Sequence, residues 1–342
     1  MDTSVLSRLF EMAPDLMEEM ELRALVLERV AALGPIGRRA LAARLNLAER
    51  EVRSAADALK LAGCLTQNAA GMILTAQGQS LIEPARLVSR RRRSFASIEQ
   101  ALSRKLNIHR VCVVSGDADK DGSVMEAAAA AAAQQLRFWL HGVRVLAVSG
   151  GEMMAQMAEA IVPAAPIDVM IVPAQGGMGG SVRIQANTVA ERFAARLGGQ
   201  NRMLYLPEGI SASAAEELVR LTQVREVLEY VRNADLVFYG IDGALGAALQ
   251  RGVSPAERES LLRSGAIGEA VGFYLNAEGT IIGSKAAHAL NMKELGGRTK
   301  AAAVSVGHSR AEAIIAVCMH HEHALLVTDE GAAHRMMELL RV

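Results

Sequence analysis

The 342-residue sequence predicts a doubly wound, mostly parallel α/β domain preceded by a small N-terminal winged helix-turn-helix. Three observations carry that expectation. From Val111 onward, short near-continuous apolar runs alternate with helical segments, the signature of a parallel sheet covered on both faces. Ahead of them come a helix, a short helix, a turn, a third helix and a hairpin, in that order. The charge, finally, is sorted along the chain. Basic and acidic side chains balance at 37 each, yet residues 34–110 hold fourteen Lys or Arg against five Asp or Glu, an excess of nine. A basic head on an acidic remainder suits a nucleic-acid reader joined to a second function.

Residues 14–33 place Leu22, Leu25, Val26, Val30 and Leu33 at helical spacing, and Gly34-Pro35 ends that helix. A short helix over 37–45 carries Leu41, Ala42 and Leu45 on one face, and Asn46-Leu47 makes a turn. The next helix, 48–61, buries Val52, Ala55, Ala56 and Leu59 and leaves Arg50, Arg53, Ser54 and Asp57 on its other face. Two short β segments, 64–67 and 72–75, flank Asn68-Ala69-Ala70-Gly71 as a hairpin of wing size. A narrow polar helix bearing arginines fits a major groove about 12 Å wide. We therefore expect Arg50, Arg53 and Ser54 to meet base edges or groove walls of double-stranded DNA, with Arg38 and Arg39 gripping phosphate. Residues 86–110, with Arg90 to Arg93 and the spacing Ile98, Leu102, Leu106, read as a linker helix. The expected organisation is thus a DNA-binding domain at 1–85, the linker at 86–110, and one α/β domain at 111–342.

In that last part the apolar runs are 111–114, 143–148, 169–172, 203–206, 236–239, 302–306 and 324–327, with a hairpin at 272–282 turned at Asn276 to Gly279. Turns rich in small residues follow several of the runs: Ser149-Gly150-Gly151, Gln175-Gly176-Gly177 onward, Gly240 to Gly243, Gly307 to Arg310, and Thr328 to Gly331. Glycine lets backbone N–H groups approach a ligand, and the helix N-termini that follow favour anions. Ligands of open α/β sheets bind at the carboxyl ends of the strands. A small anionic molecule such as a sugar phosphate is the expected ligand.

Other classes are excluded or set aside. No run reaches the roughly 18 apolar residues of a membrane span, and the acidic N-terminus is unlike a signal peptide. Cys64, Cys112 and Cys318 lie too far apart in sequence to form a local metal or redox motif. His320, His321 and His323 lack the spacing of convergent ligands, and Asp117, Asp119 and Asp121 begin a calcium-like loop that Ala128 fails to close. No metal and no cofactor are expected, and the protein is read as cytoplasmic.

The segments GPIGRRALAARLNLAEREVR (34–53), VVSGD (113–117), VPAQGGMGGSVRIQANT (172–188), EAVGFYLNAEG (269–279) and LLVTDEGAA (325–333) together resemble the SorC-like (sorbitol operon regulator) family of sugar-binding transcriptional regulators, in particular the branch controlling central glycolytic genes. The resemblance implies a tetrameric repressor of carbohydrate-metabolism genes with a sugar-phosphate-isomerase-like sensor domain, released from its operator by a sugar phosphate such as fructose 1,6-bisphosphate. It implies an effector site including Gly150, Gly151, Glu152, Gln175, Gly176, Gly177, Gln185, Glu269 and Arg310. Three departures stand out. The family's Gly-Gly-Thr-Thr loop is Gly150-Gly151-Glu152-Met153 here, a family arginine is Gln175, and the glycine pair before the family's lysine is Gly307-His308, with Arg310 in the lysine's place. A carboxylate beside a phosphate is repulsive by about 1 kcal/mol at 4 Å in water and more in a drier cleft. A monophosphate, another polyol or an amine-bearing sugar all remain open, and fructose 1,6-bisphosphate is expected to bind less tightly than in the family at large. The alternative is an isomerase-type enzyme fused to a DNA-binding head. Glu269, His308, Asp329 and Glu330 are available for such chemistry, but no spacing groups them as a catalytic set.

Overall fold

The computed structural model describes residues 14–45, 47–163, 165–177, 181–284, 299–319 and 321–342. Asn46 of the expected turn, Met178 to Gly180 and His320 lie outside the described residues, as do the side chains of Arg90 to Arg93. The chain divides into two compact units, residues 1–97 and 98–342.

In the first unit, α1 (Pro14–Leu33), α2 (Arg38–Leu45) and α3 (Glu49–Leu61) enclose a core of Val26, Leu27, Val30, Leu41, Val52, Ala55, Ala56 and Leu59. Glu51 starts α3, its Oε2 accepting the Ala48 N–H at 3.0 Å, a side-chain answer to an otherwise orphaned N-terminal donor. The hairpin pairs β1 (Leu65–Asn68) with β2 (Gly71–Leu74), in register Leu65 to Leu74 and Asn68 to Gly71. At its tip the Asn68 side-chain oxygen accepts the N–H groups of Ala70 and Gly71. Gly71 has φ +142°, and a Cβ there would lie 2.6 Å from the Ile36 backbone. Ile36 and Met72 exchange backbone hydrogen bonds at that close approach. The short α4 (Ala76–Ser80) leads into α5 (Ile82–Leu106).

α5 is the helix read from the sequence as a linker, but it starts before residue 86 and stops at Leu106. Asn107, at φ +52°, ends it, and the first strand of the second unit, β3 (Ile108–Val114), begins three residues earlier than expected. Ile98, Leu102 and Leu106 are all buried, as their spacing predicts. Glu99 Oε1 accepts the Val113 N–H at 2.9 Å.

The second unit continues with α6 (Ser123–Trp139), β4 (Val145–Val148), α7 (Glu152–Ala160), β5 (Met170–Pro173), α8 (Ala186–Leu197), β6 (Gln200–Asn201), α9 (Ala212–Val219), α10 (Thr222–Arg232) and β7 (Leu236–Gly243). It ends with α11 (Ala244–Gln250), α12 (Pro255–Arg263), β8 (Gly268–Ala270), β9 (Phe273–Leu275), β10 (Ile281–Ser284), β11 (Lys300–Val304), α13 (Ala311–Cys318), β12 (His323–Asp329) and α14 (Glu330–Leu340). The parallel strands stand in the order β3, β12, β11, β7, β4, β5, β6. Ala301, Ala302, Ala303 and Val304 of β11 and Leu325, Leu326 and Val327 of β12 are fully buried, as strands covered on both faces must be.

Two sequence expectations fail here. Residues 203–206 are not a strand: the edge strand is Gln200–Asn201, and the Leu204 backbone is bonded instead to the Asn187 side-chain amide, at 2.8 Å from N–H to Oδ1 and 3.1 Å from Nδ2 to C=O. Nor is Gly240 to Gly243 a turn. β7 runs on through these residues, and Ile241–Gly243 pair antiparallel with β8, which leads on to β9 and β10.

Candidate functional site

From β4 the chain moves outward to β5 and β6; from β7 it moves the other way, to β11 and β12. The carboxyl ends of β4 and β7 therefore form the topological switch point, where open α/β sheets hold their ligands. A small cleft sits there, lined by Ser149, Gly150, Gly151, Gln175, Gly240, Asp242, Gln250, Arg251 and Glu269 among others. A larger hollow, about 560 Å³, lies at the opposite ends of β4 and β5, against Arg144, Met170 and Asp235. Size does not decide between them. Asp235 is already committed to the Arg144 and Val145 N–H groups, whereas the switch-point cleft carries an unsatisfied polar atom, Gln175 Oε1.

Ser149 ties the two strands together, its N–H donating to the Phe238 carbonyl and its Oγ accepting from Gly240 N at 3.2 Å. Gly150 is glycine for space, since a Cβ would lie 2.5 Å from the Ile184 carbonyl oxygen. Gly151, at φ +107°, opens α7 without a side-chain cap. Gln175 is only 2 % exposed, and among the described residues its Oε1 has no hydrogen-bond partner. A buried amide oxygen facing a cleft without a partner is costly, by about 1–3 kcal/mol, and is suited to a ligand hydroxyl.

The structure brings Gly150, Gly151, Gln175 and Glu269 to this cleft. Gly176 and Gly177 instead meet the segment 206–208. A Cβ at Gly176 would fall 2.2 Å from the Leu206 carbonyl oxygen, Gly177 N–H donates to that oxygen, and Glu208 N–H donates to the Gly177 carbonyl. Gln185 precedes α8, with its Oε1 3.8 Å from where a Gly177 Cβ would stand. Arg310 reaches the cleft through Asp242, with Nε to Oδ1 at 3.2 Å, and also donates to the Val306 carbonyl.

Three partners that the sequence does not reveal, Arg251, Glu208 and Arg183, reshape the electrostatics. Arg251, at the end of α11, is 6 % exposed and pairs with Glu208 and, at 2.8 Å, with Glu269 Oε1, both equally buried. Burial alone would lower the Arg251 pKa, but Glu269 and then Glu208 more than offset it and raise it. Burial pushes Glu208 and Glu269 above the usual carboxylate range, against the pull of Arg251. One guanidinium cannot neutralise two buried carboxylates. Glu152 is paired with Arg183, which holds its carboxyl below the ordinary value. No local pattern marks any of these partners: Arg183 lies 31 residues from Glu152, and Arg251 lies 43 and 18 from its two carboxylates.

Beyond the cleft, Asp329 staples the rim. Its carboxylate accepts Ala118 N–H at 2.7 Å, Gly307 N–H at 2.9 Å and Ala332 N–H at 3.0 Å, and Asp119 accepts Ser309 N–H at 2.7 Å. Glu330 and Asp329, weighed above for catalysis, therefore serve backbone N–H groups. Among the described residues, no group of His, Cys, Asp and Glu is arranged to hold a metal ion. Likewise, no described helix is long and apolar enough to cross a membrane.

In the first unit, Arg50, Arg53 and Ser54 are exposed along one stripe of α3. Glu49 lies between two of the expected contacts, 3.3 Å from Arg39 and 3.8 Å from Arg53, while Arg38 is 3.9 Å from Asp57.

A helix-turn-helix with an arginine-bearing third helix, in one chain with a doubly wound domain that opens a polar cleft at its switch point, defines a DNA-binding regulator with a small-molecule domain. Comparison with known proteins agrees. Residues 20–87 match the family described as "CggR N-terminal DNA binding domain", and residues 91–338 match the "Putative sugar-binding domain" family. The chain is similar to the central glycolytic genes regulators of Priestia megaterium (31% identical over 329 residues) and Bacillus subtilis (30% over 328), covering 96% of each chain in both cases. Among solved structures, a SorC family transcriptional regulator from Enterococcus faecalis is 30% identical, over 70% of this chain and 99% of that one, with a TM-score of 0.64. The full-length sorbitol operon regulator SorC from Klebsiella pneumoniae, 17% identical, shares the fold over 89% of this chain and 94% of its own, with a TM-score of 0.65. The chain belongs to the SorC-type family of transcriptional regulators, with a DNA-binding and a sugar-binding domain. It is a regulator, not an isomerase fused to a DNA-binding head.

Proposed function

We propose that this protein is a cytoplasmic repressor of glycolytic or other carbohydrate-metabolism genes, whose hold on its operator is weakened by a phosphorylated sugar bound at the β4–β7 switch point. The carrying observation is the cleft itself: a buried, unpartnered Gln175 amide oxygen beside the open N-terminus of α7 and the carboxylate of Glu269. Hydroxyls of a sugar can both donate to such oxygens and accept from Arg251. Gly150, Gly151, Gln175, Glu269 and, by movement of the surrounding segments, Gln185 and Arg310 would form the site. On the DNA side, Arg50, Arg53 and Ser54 read the groove, the β1–β2 hairpin serves as the wing, and Arg38 and Arg39 hold phosphate. A metabolite that prefers the conformation less suited to DNA shifts the population away from it. The tetramer implied by the family resemblance would present several reading heads to one operator.

The test uses the full chain and DNA from upstream of carbohydrate-metabolism genes of its source. Fluorescence anisotropy should show nanomolar-range binding that is strongly salt-dependent and weakened by one of a panel of sugar phosphates. Binding to no such DNA, or binding indifferent to every sugar phosphate, overturns the reading. Sedimentation of the free chain at a mass other than four protomers overturns the tetramer.

A further inference from the structure

Among the described residues, the arginines near the cleft are each already paired. Arg251 is shared by Glu208 and Glu269, Arg310 is held by Asp242, and Arg183 is held by Glu152. Three guanidinium groups therefore face four carboxylates, and Asp119, 3.8 Å from Arg310, adds another. A phosphate ester brings about −1.5 to −2 charges at neutral pH. A ligand with one phosphate at each end must place both in surroundings that are already negative.

The two ends of the cleft are not equivalent. At one end, α7 presents first-turn N–H groups with no side-chain cap at Gly151, an arrangement that ordinarily takes an anion, whereas the unpartnered Gln175 oxygen is an acceptor suited to a hydroxyl. Here, however, the first residue of that helix is Glu152, a carboxylate placed at the positive helix end and clasped by Arg183, with Gln156 Nε2 donating to it at 3.2 Å. Burial opposes the charged form of Glu152, yet its pKa lies below the ordinary value, because Arg183 dominates. The chain thus supplies its own anion at this end. Arg310, next to Asp242 of the cleft lining, makes longer ion-pair contacts, 3.2 Å to Asp242 and 3.8 Å to Asp119, besides its 3.0 Å hydrogen bond to the Val306 carbonyl. Its carboxylate partners hold it less closely than Glu152 holds Arg183.

We infer that the Glu152–Arg183 ion pair closes the α7 end of the cleft to phosphate, so that the effector is a sugar carrying a single phosphate. This inference rests on the sugar-phosphate reading of the cleft given above. The phosphate sits at the Arg310 end, and hydroxyls of the sugar meet Gln175 and Glu269. Glu152 and Arg183 are specificity-determining residues that act by exclusion.

Calorimetric titration of the full chain tests this with fructose 1,6-bisphosphate against fructose 6-phosphate, fructose 1-phosphate and glucose 6-phosphate. The wild type should bind at least one monophosphate more tightly than the bisphosphate. E152Q, which keeps the shape and a hydrogen bond to Arg183, should raise bisphosphate affinity by at least about ten-fold and change the monophosphate by less than about three-fold. R183A leaves Glu152 uncompensated and should weaken the bisphosphate further. E152T gives a second route to the same result if Gln perturbs the start of the helix. A wild type that binds the bisphosphate ten-fold more tightly than every monophosphate overturns the inference, as does an E152Q protein with an unchanged ratio; both leave the sugar-phosphate reading intact. If no sugar phosphate binds wild type or variant, that reading falls, and this one with it.

Discussion

Removing Arg251 should destabilise the second unit strongly. Its guanidinium sits between Glu208 and Glu269, with all three side chains 6 % exposed. Arg251→Ala leaves two buried carboxylates with no cation between them. Removing one partner of a buried pair typically costs about 3–5 kcal/mol. For a unit of this size each kcal/mol moves the midpoint by about 2–4 °C, so the transition should fall by roughly 6–20 °C. Differential scanning calorimetry of the full chain reads it. The pH dependence provides a sharper check. Burial already raises both carboxylates above their ordinary values, so the native state binds more protons than the unfolded chain just above the carboxylate range. Stability from these groups is therefore present at low pH and lost as pH rises through their native pKa values. Without Arg251 those values climb further, and the loss extends toward neutrality. The variant should recover part of its deficit between pH 8 and pH 5, and R251A/E208Q/E269Q, with no charge left to bury, should recover it without acid. A deficit below about 1 kcal/mol, or one flat with pH, would refute the electrostatic account of this cluster.

Glu49 restrains Arg39 and Arg53; Glu49→Gln should therefore strengthen binding to non-specific duplex by a few fold, while Arg53→Ala should flatten the plot of log K against log salt by about 0.9, and an E49Q protein that binds more weakly contradicts the placement. Burial lowers His323 to about 4, with its Nδ1–H donating to the His321 carbonyl and its Nε2 accepting from Tyr239 Oη at 2.5 Å. Its contribution is complete above the unfolded value near 6.5 and is lost as pH falls toward 4, up to about 3 kcal/mol, so the Tyr239→Phe, His323→Leu double variant should show a shallower acid decline in calorimetry, and parallel curves would count against it. Glu208→Gln loosens the contact holding Arg251 and should raise sugar-phosphate affinity in calorimetric titration, whereas a ligand contact at Glu208 would lower it.

The fold was legible wherever a pattern is local. Ile98, Leu102 and Leu106 at helical spacing, Val52, Ala55, Ala56 and Leu59 on one face, and the apolar runs of β11 and β12 all bury as read. Residues 203–206 misled for a physical reason. Met203 and Tyr205 are exposed while Leu204 and Leu206 are buried, a true period of two. Such alternation reports which side faces the core, not what satisfies the backbone, and there the Asn187 amide replaces a neighbouring strand. Three-residue β8 escaped because it is too short to show a period and carries a buried charge, Glu269, in its middle. Of the site, the glycine turns after β4 and β5 were readable, since tight turns have compositional signatures. Arg183, Glu208 and Arg251 were not, because charge pairing across distant loops leaves no trace in sequence spacing.

Those unread partners also change what kind of site this is. The cleft encloses only about 20 Å³, room for about a single water, so a sugar enters only if lining residues such as Arg251 move. Buried ion pairs contribute little net stability, because desolvation opposes their attraction, but they penalise any arrangement that leaves one member alone. A ligand that pushes Arg251 aside must therefore give Glu269 and Glu208 new donors, and give the guanidinium a new acceptor. An apolar molecule supplies neither. A carboxylate or second phosphate supplies only acceptors, to groups that already lack donors. A polyol supplies both from each hydroxyl, which is why a closed cleft with more carboxylates than guanidinium groups among its described residues would favour sugar hydroxyls over further negative charge.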